Sequence, residues 1–236
     1  MRVTYLQHSG FLVEWEDITC LFDWVEGELP AIEAGKKLFV FVSHVHSDHF
    51  TPELFTRCQK YSPRTFVFSS DIKATPEKGD TAAVVRIPAN LRRIIPGGSK
   101  GTLSVTTLRS TDCGVAFVVN YAGVTVYHAG DLHWWAWPDD TPEEERTMRN
   151  RFAAEMVKLR GLTLDAAFLP LDPRLEDNFW MGFDALMRSA HVKMAFPMHM
   201  WEKYEYIDKL RQLQISAPYR DRIAEITAPG QVFELT

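Results

Sequence analysis

Residues 38–49 read Leu38-Phe39-Val40-Phe41-Val42-Ser43-His44-Val45-His46-Ser47-Asp48-His49. The continuous apolar run Leu38–Ser43 fits a strand buried on both faces. Three histidines and an aspartate follow it directly. In an extended segment, side chains two residues apart share a face, so His44 and His46 can reach one ion together. Asp48 and His49 lie beyond the strand end, where the chain turns, and can face a second ion. Imidazole and carboxylate are donors that zinc accepts at about 2.0–2.2 Å. Strand ends and the loops after them are where a rigid scaffold holds such a cluster. One histidine beside a strand is usually a satisfied polar residue; this density of donors points to metal binding.

Outward from this segment, the first half is rich in strands. Val3–Gln7, Phe11–Glu16, Thr19–Asp23, Thr65–Ser69, Ala83–Ile87, Arg92–Ile95 and Leu103–Leu108 carry strand-forming residues. Val115–Tyr121 and Val124–His128 flank Ala122-Gly123, a hairpin turn. Thr51-Pro52 is predicted to open a short helix, with Thr51 as its N-cap. The second half alternates. Thr141-Pro142-Glu143-Glu144 is a capping-box pattern predicting a helix to about Arg160, stopped by Gly161. Strands are predicted at Ala166–Leu169, Met194–Pro197, Ile223–Ile226 and Val232–Leu235, and helices at Phe183–Ala190 and Glu202–Gln214. Strands first, then strands alternating with helices, predict an α+β domain of two packed sheets with helices outside. No repeat, low-complexity tract or linker divides residues 1–236, which read as one domain.

Of the 236 residues, 46% are hydrophobic and 24% charged, which argues against general disorder. The net charge of −5 lacks the basic footprint of a nucleic-acid binder. No apolar stretch reaches membrane-spanning length, and the N-terminus lacks a secretory h-region. Three cysteines without a CxxC pair give no disulfide framework. A reducing cytoplasm is the simplest location.

HVHSDH matches the HxHxDH motif of the metallo-β-lactamase superfamily of metal-dependent hydrolases. Further blocks resemble its L-ascorbate-6-phosphate lactonase-like branch. They are Tyr5-Leu6-Gln7-His8-Ser9-Gly10-Phe11, Tyr127-His128-Ala129-Gly130-Asp131, Asp165–Leu171 and Phe196-Pro197-Met198-His199. The resemblance implies a four-layer αββα sandwich. It implies that His44 and His46 hold a first metal, that Asp48, His49 and His199 hold a second, and that Asp131 bridges them. A carboxylate has two oxygens and can serve two ions.

Most members supply a third histidine to the first metal, but this chain has none between His49 and His128. The corresponding stretch, Leu108–Gly114, offers Asp112 as the replacement and Cys113 as the second candidate; if it is extended, only one reaches the site. Water is the remaining option, so one or two ions are expected. A carboxylate in place of an imidazole lowers the positive charge of the centre and favours a harder metal such as Mn2+ beside the expected Zn2+.

Other residues have less specific readings. His8 is a substrate contact, a brace for a ligand or an exposed turn residue. His128 reads as a packed strand residue rather than a brace. His133 lies in the loop beyond Asp131 and can face the cleft, whereas His191 reads as a helix C-terminal residue. Trp134, Trp135 and Trp137 form a cleft wall or packing for the following helix, and Trp180 and Trp201 pose the same choice. Arg174 and Lys203 are anion contacts or solvated charges.

The expected function is metal-dependent hydrolysis of a small lactone, ester, amide or phosphoester, by a metal-bound hydroxide. Asp48 and Asp131 would orient the water or share its proton. The resemblance to the HxHxDH form favours hydrolysis over the diiron redox chemistry of related members. The rivals are a phosphodiesterase and a catalytically silent protein with one structural or sensing metal.

Overall fold

The computed structural model describes residues 1–235. Among these residues, thirteen strands form two sheets. β1 (Arg2–Gln7), β2 (Gly10–Glu14), β3 (Ile18–Phe22), β4 (Lys37–Val42), β5 (Arg64–Ser69) and β6 (Ala83–Ile87) build the first, which β13 (Val232–Glu234) completes beside β1. β7 (Arg92–Pro96), β8 (Thr102–Arg109), β9 (Val115–Tyr121), β10 (Val124–His128), β11 (Thr163–Pro170) and β12 (His191–Met198) build the second. Pairing is antiparallel from β13 through β3 and parallel from β3 to β6. It is antiparallel from β7 to β10 and parallel from β10 to β12.

The continuous apolar run is explained by alternation. Phe39 and Phe41 join the large core between the sheets, with Phe22, Val67 and Phe117. Leu38, Val40 and Val42 point the other way, into a second core under α1 (Leu54–Cys58), with Leu54, Phe55 and Cys58. Both faces are buried, so neither tolerates a polar residue. On the far side, α2 (Pro142–Met156) and α3 (Met181–Ser189) add Phe152, Met156, Phe183, Leu186 and Met187 to the large core. The result is the expected helix–sheet–sheet–helix layering.

Some boundaries move for local reasons. Thr141 caps α2 with the full reciprocal box, and Glu144 returns to its backbone. Thr51 does not cap α1: its hydroxyl bonds the Glu53 carboxylate, and Glu53 holds the N-cap position without a side-chain bond. α4 (Glu205–Gln212) starts three residues later than Glu202, because Trp201 and Glu202 have φ of 51° and 60°, outside the right-handed region. α3 ends at Ser189, and His191 opens β12 instead of closing a helix. Ile223–Ile226 makes only one bridge, to Ala195.

Candidate metal centre

β4 stops at Val42, and the donor segment is a bend rather than an extended continuation. It folds tightly: the His49 and Phe50 amides both donate to the His46 carbonyl. His44 and His46 still meet, with Nε2 and Nδ1 3.1 Å apart. Two glycines let the other site loops approach. A Cβ on Gly114, whose φ is +66°, would lie 2.1 Å from the Ser43 carbonyl oxygen. A Cβ on Gly130, whose φ is +50°, would lie 2.6 Å from the Ser43 Cβ. Ser43 is therefore the point against which the loops carrying Asp112 and Asp131 close.

Two groups of donors result. His44, His46, Asp112 and Asp131 form one, and His8, Asp48, His49 and His199 the other; within each, all donor atoms lie within 4.8 Å of one another. Asp131 stands between the groups. Its Oδ2 is 3.6 Å from His44 Nε2. Its Oδ1 is 3.1 Å from His49 Nε2 and 3.6 Å from His199 Nε2. Asp112 Oδ2 is 3.4 Å from His46 Nδ1, so the aspartate after β8 stands where the third histidine is missing. Cys113 belongs to neither group. Asp48 Oδ2 lies 3.3 Å from His8 Nε2, 3.4 Å from His199 Nε2 and 3.7 Å from His49 Nε2.

These spacings fit an ion. Two donors each about 2.1 Å from one ion stand roughly 3.0 to 3.4 Å apart at octahedral and tetrahedral angles. His8 Nε2, His49 Nε2, His199 Nε2 and Asp131 Oδ1 are buried and have no hydrogen-bond partner. Buried polar atoms are normally satisfied, so four orphans converging on one space call for a common partner. Nitrogen and oxygen donors of this kind suit zinc or a harder divalent ion.

Behind the donors lie two carboxylates that the sequence reading passed over. Asp23, at the end of β3, accepts from His49 Nδ1 at 2.7 Å, from the Ser43 amide at 2.8 Å and from Ser43 Oγ at 2.6 Å. Asp172, after β11, accepts from His199 Nδ1 at 2.9 Å. Each bond places the proton on Nδ1 and turns the Nε2 lone pair to the cleft. His44 Nδ1 is fixed likewise, 2.9 Å from Ser43 Oγ.

Burial opposes charge on His49, but Asp131 and Asp23 outweigh it and raise its pKa well above the ordinary value. Burial likewise opposes charge on His199, yet bonds to Asp172 and Asp48 raise its pKa. His44 behaves oppositely: burial, helped by the charge of His49, pushes it down to about 4. Burial works against ionised Asp131 and Asp48, but the surrounding histidines hold both carboxyls well below the usual range.

The family model described as a beta-lactamase superfamily domain matches residues 2–140, more than half of the chain. The chain belongs to the metallo-β-lactamase superfamily. It is 26% identical over 254 residues to a UPF0173 metal-dependent hydrolase of Heliobacterium modesticaldum, covering 100% of this chain and 98% of the relative. Its likeness to the same-named protein of Pelotomaculum thermopropionicum is 25% over 252 residues, covering 100% of both. Among solved structures, Igni18, a metallo hydrolase of Ignicoccus hospitalis, superposes with a TM-score of 0.64 at 17% identity over 100% of this chain and 99% of that one. CmlA, a diiron β-hydroxylase of Streptomyces venezuelae, superposes with a TM-score of 0.61 at 13% identity over 99% of this chain and 54% of that one. A metallo hydrolase and a diiron hydroxylase thus share this fold, so the fold alone does not fix the activity.

The remaining candidates divide. A cleft of about 760 Å³ opens over the donors, lined in part by Trp135, Trp137, Met148, Arg174 and Trp201. Trp135 and Trp137 stack with centroids 5.7 Å apart, forming the apolar wall. Trp134 and Trp180 pack against the core instead, and Lys203 does not line the cleft. His133 does not face the cleft: it is buried against Gly182 and Trp135, its loop held by the Thr111 hydroxyl. His128 is a brace after all. Its Nε2–H donates to the Ser9 carbonyl, and its Nδ1 accepts from the Gly130 amide, fixing the turn that delivers Asp131. Backbone strain collects here too. Of eight non-glycine residues with positive φ among the described residues, His8, Asp23, His199, Trp201 and Glu202 belong to the cleft, as expected where function over-determines geometry.

Proposed function

We propose that this protein is a metal-dependent hydrolase with two divalent ions, zinc or manganese, acting on a small lactone, ester, amide or phosphoester. The observation that carries the reading is the pair of donor groups sharing Asp131, each oxygen turned to one group. His44, His46 and Asp112 would hold the first ion, and Asp48, His49, His199 and His8 the second. Divalent ions bound there would acidify a water and polarise the oxygen of the bond to be cleaved.

The chain's own residues do the rest. Asp48 is about a third exposed to the cleft, so its carboxylate can orient the attacking water and share its proton. Asp131, nearly buried, keeps its charge between the two groups. Asp23 and Asp172 fix the imidazoles so that little reorganisation is needed during the reaction. The Trp135–Trp137 wall excludes water beside the reacting bond and packs the apolar part of the substrate.

The cleft volume suits a small molecule. Glu26 and Glu202 among the lining residues, with the net charge of −5, disfavour a nucleic-acid substrate. Among the described residues no helix is long and apolar enough to cross a membrane. Three unpaired cysteines, two of them buried, fit a reducing cytoplasm.

Metal content by plasma mass spectrometry, together with turnover of a lactone, ester and phosphodiester panel, tests the reading. Two equivalents per chain and a hydrolysis lost in His46→Ala are expected. Turnover of no substrate, with melting temperature lost on chelation, would leave a structural-metal protein instead.

A further inference from the structure

Among the described residues, Arg174 is the one arginine or lysine lining the cleft. It follows Asp172 after β11 and is unusually well fixed for a half-exposed side chain. Its Nε and Nη2 fork the Asp172 carboxylate, with Nε 3.0 Å from each oxygen and Nη2 2.6 Å from Oδ2. The guanidinium also lies over two indoles, 4.7 Å from the Trp201 ring and 5.5 Å from the Trp137 ring. A planar guanidinium has two edges that can fork an oxyanion. The Nε–Nη2 edge is taken by Asp172. The Nη1–Nη2 edge is free, and Nη1 has no partner among the described residues.

Structural pairing with Asp172 alone would not require an arginine at the cleft. The Asp172 carboxylate already accepts from His199 Nδ1 at 2.9 Å and from the Arg174 amide at 2.9 Å, and neither bond needs a cation exposed to solvent. What Asp172 and the indoles achieve is to hold the free edge in place before a ligand arrives, which lowers the ordering cost of binding.

We propose that Arg174 is an oxyanion-binding subsite of this cleft, taking a carboxylate or phosphate carried by the substrate beside the bond that is cleaved. Trp137 and Trp201 cover the guanidinium and accept the flat or apolar part of the same molecule. The substrate is thereby narrowed from any small ester or lactone to an anionic one. This narrowing rests on the hydrolase reading; the anion-binding property does not.

The test compares benzoate, phenylphosphonate and benzamide, which share a ring and differ in charge, by tryptophan fluorescence on zinc-loaded protein. The better anions are expected to bind the wild type at least about tenfold more tightly than benzamide, as a charge-assisted fork implies. Arg174→Gln is expected to lose that advantage with zinc content unchanged, which separates the fork from direct contact with the ions. Arg174→Lys keeps the charge but not the second edge, and is expected to lose several-fold; it decides the matter if Arg174→Gln fails to load zinc. The stronger of the two anions distinguishes carboxylate from phosphate. Wild-type affinity for both anions in both variants overturns the subsite. Hydrolysis of 4-nitrophenyl hemisuccinate against 4-nitrophenyl butyrate is read in parallel. Arginine-dependent anion binding with turnover of neither ester, nor of the lactone and phosphodiester panel, supports the subsite and removes the hydrolase reading. A hydrolase whose preference and anion binding ignore Arg174 does the reverse.

Discussion

Asp23→Asn isolates the contribution of a carboxylate that lies behind the donor imidazoles. Asp23 is 2% exposed and accepts three hydrogen bonds, from His49 Nδ1, the Ser43 amide and Ser43 Oγ. Its φ of 39° is one that asparagine tolerates, so the substitution adds no new backbone strain. The amide keeps one acceptor oxygen and turns an NH2 toward a donor, leaving at least one buried donor unpaired. That costs roughly 1–3 kcal/mol, or a drop in melting temperature of about 2–12 °C for a chain of this length. The second effect is on the ion. His49 loses the partner that fixes its tautomer, and metal affinity at the His8–Asp48–His49–His199 group is expected to fall about 10- to 100-fold. Competition with a chromophoric chelator measures the affinity; melting of the chelated protein measures the fold. A variant with lower melting temperature and metal affinity within twofold of wild type would refute the reasoning, because Asp23 would then serve the fold alone.

Asp112→Asn is expected to reduce occupancy of the first group from one equivalent toward none at limiting metal, whereas Cys113→Ala leaves both equivalents in place; the reverse pattern would reassign the ligand. Metal affinity is expected to rise with pH, since His49 and His199 have raised pKa values and must shed protons to bind an ion. The gain is about tenfold per unit for each proton displaced, at pH values below the raised folded pKa. In the chelated protein the same two histidines stabilise the fold fully below the unfolded pKa of about 6.5, and that contribution is lost as pH rises through their folded values. The melting-temperature gap between loaded and chelated protein should therefore widen from acid to alkaline pH, and a narrowing gap would contradict the assignment. Gly114→Ala places a Cβ 2.1 Å from the Ser43 carbonyl oxygen at a φ of +66°. A loss of about 2–4 kcal/mol in denaturant unfolding is expected, together with weaker metal binding at the first group.

Residues 38–49 carried the central buried strand and half of the donors, and the order of strands and helices carried the fold class, because these signals are local. A run apolar on both faces is written directly into consecutive residues, and Phe39 and Phe41 do part from Leu38, Val40 and Val42 as alternation requires. The motif also announces its chemistry through composition, and Asp131 and His199 were reachable because each closely follows a readable strand. Asp112 was legible only as the acidic residue standing where a histidine is missing. Tertiary structure decided its role: Gly114 folds the loop onto Ser43, which brings Asp112 Oδ2 within 3.4 Å of His46.

Asp23 and Asp172 illustrate what could not be read. Each is an ordinary aspartate at a strand end, and its meaning lies in an imidazole 26 or 27 residues away. The same holds for His8, which joins the second group from the turn after β1, and for His133, which the core claims although the chain passes the cleft. Sequence determines which residues alternate, cap and turn, because those preferences act between neighbours. Hydrogen-bond partners and shared ions are set by distance in space, so only the packing of β3, β4, β10, β11 and β12 could decide them.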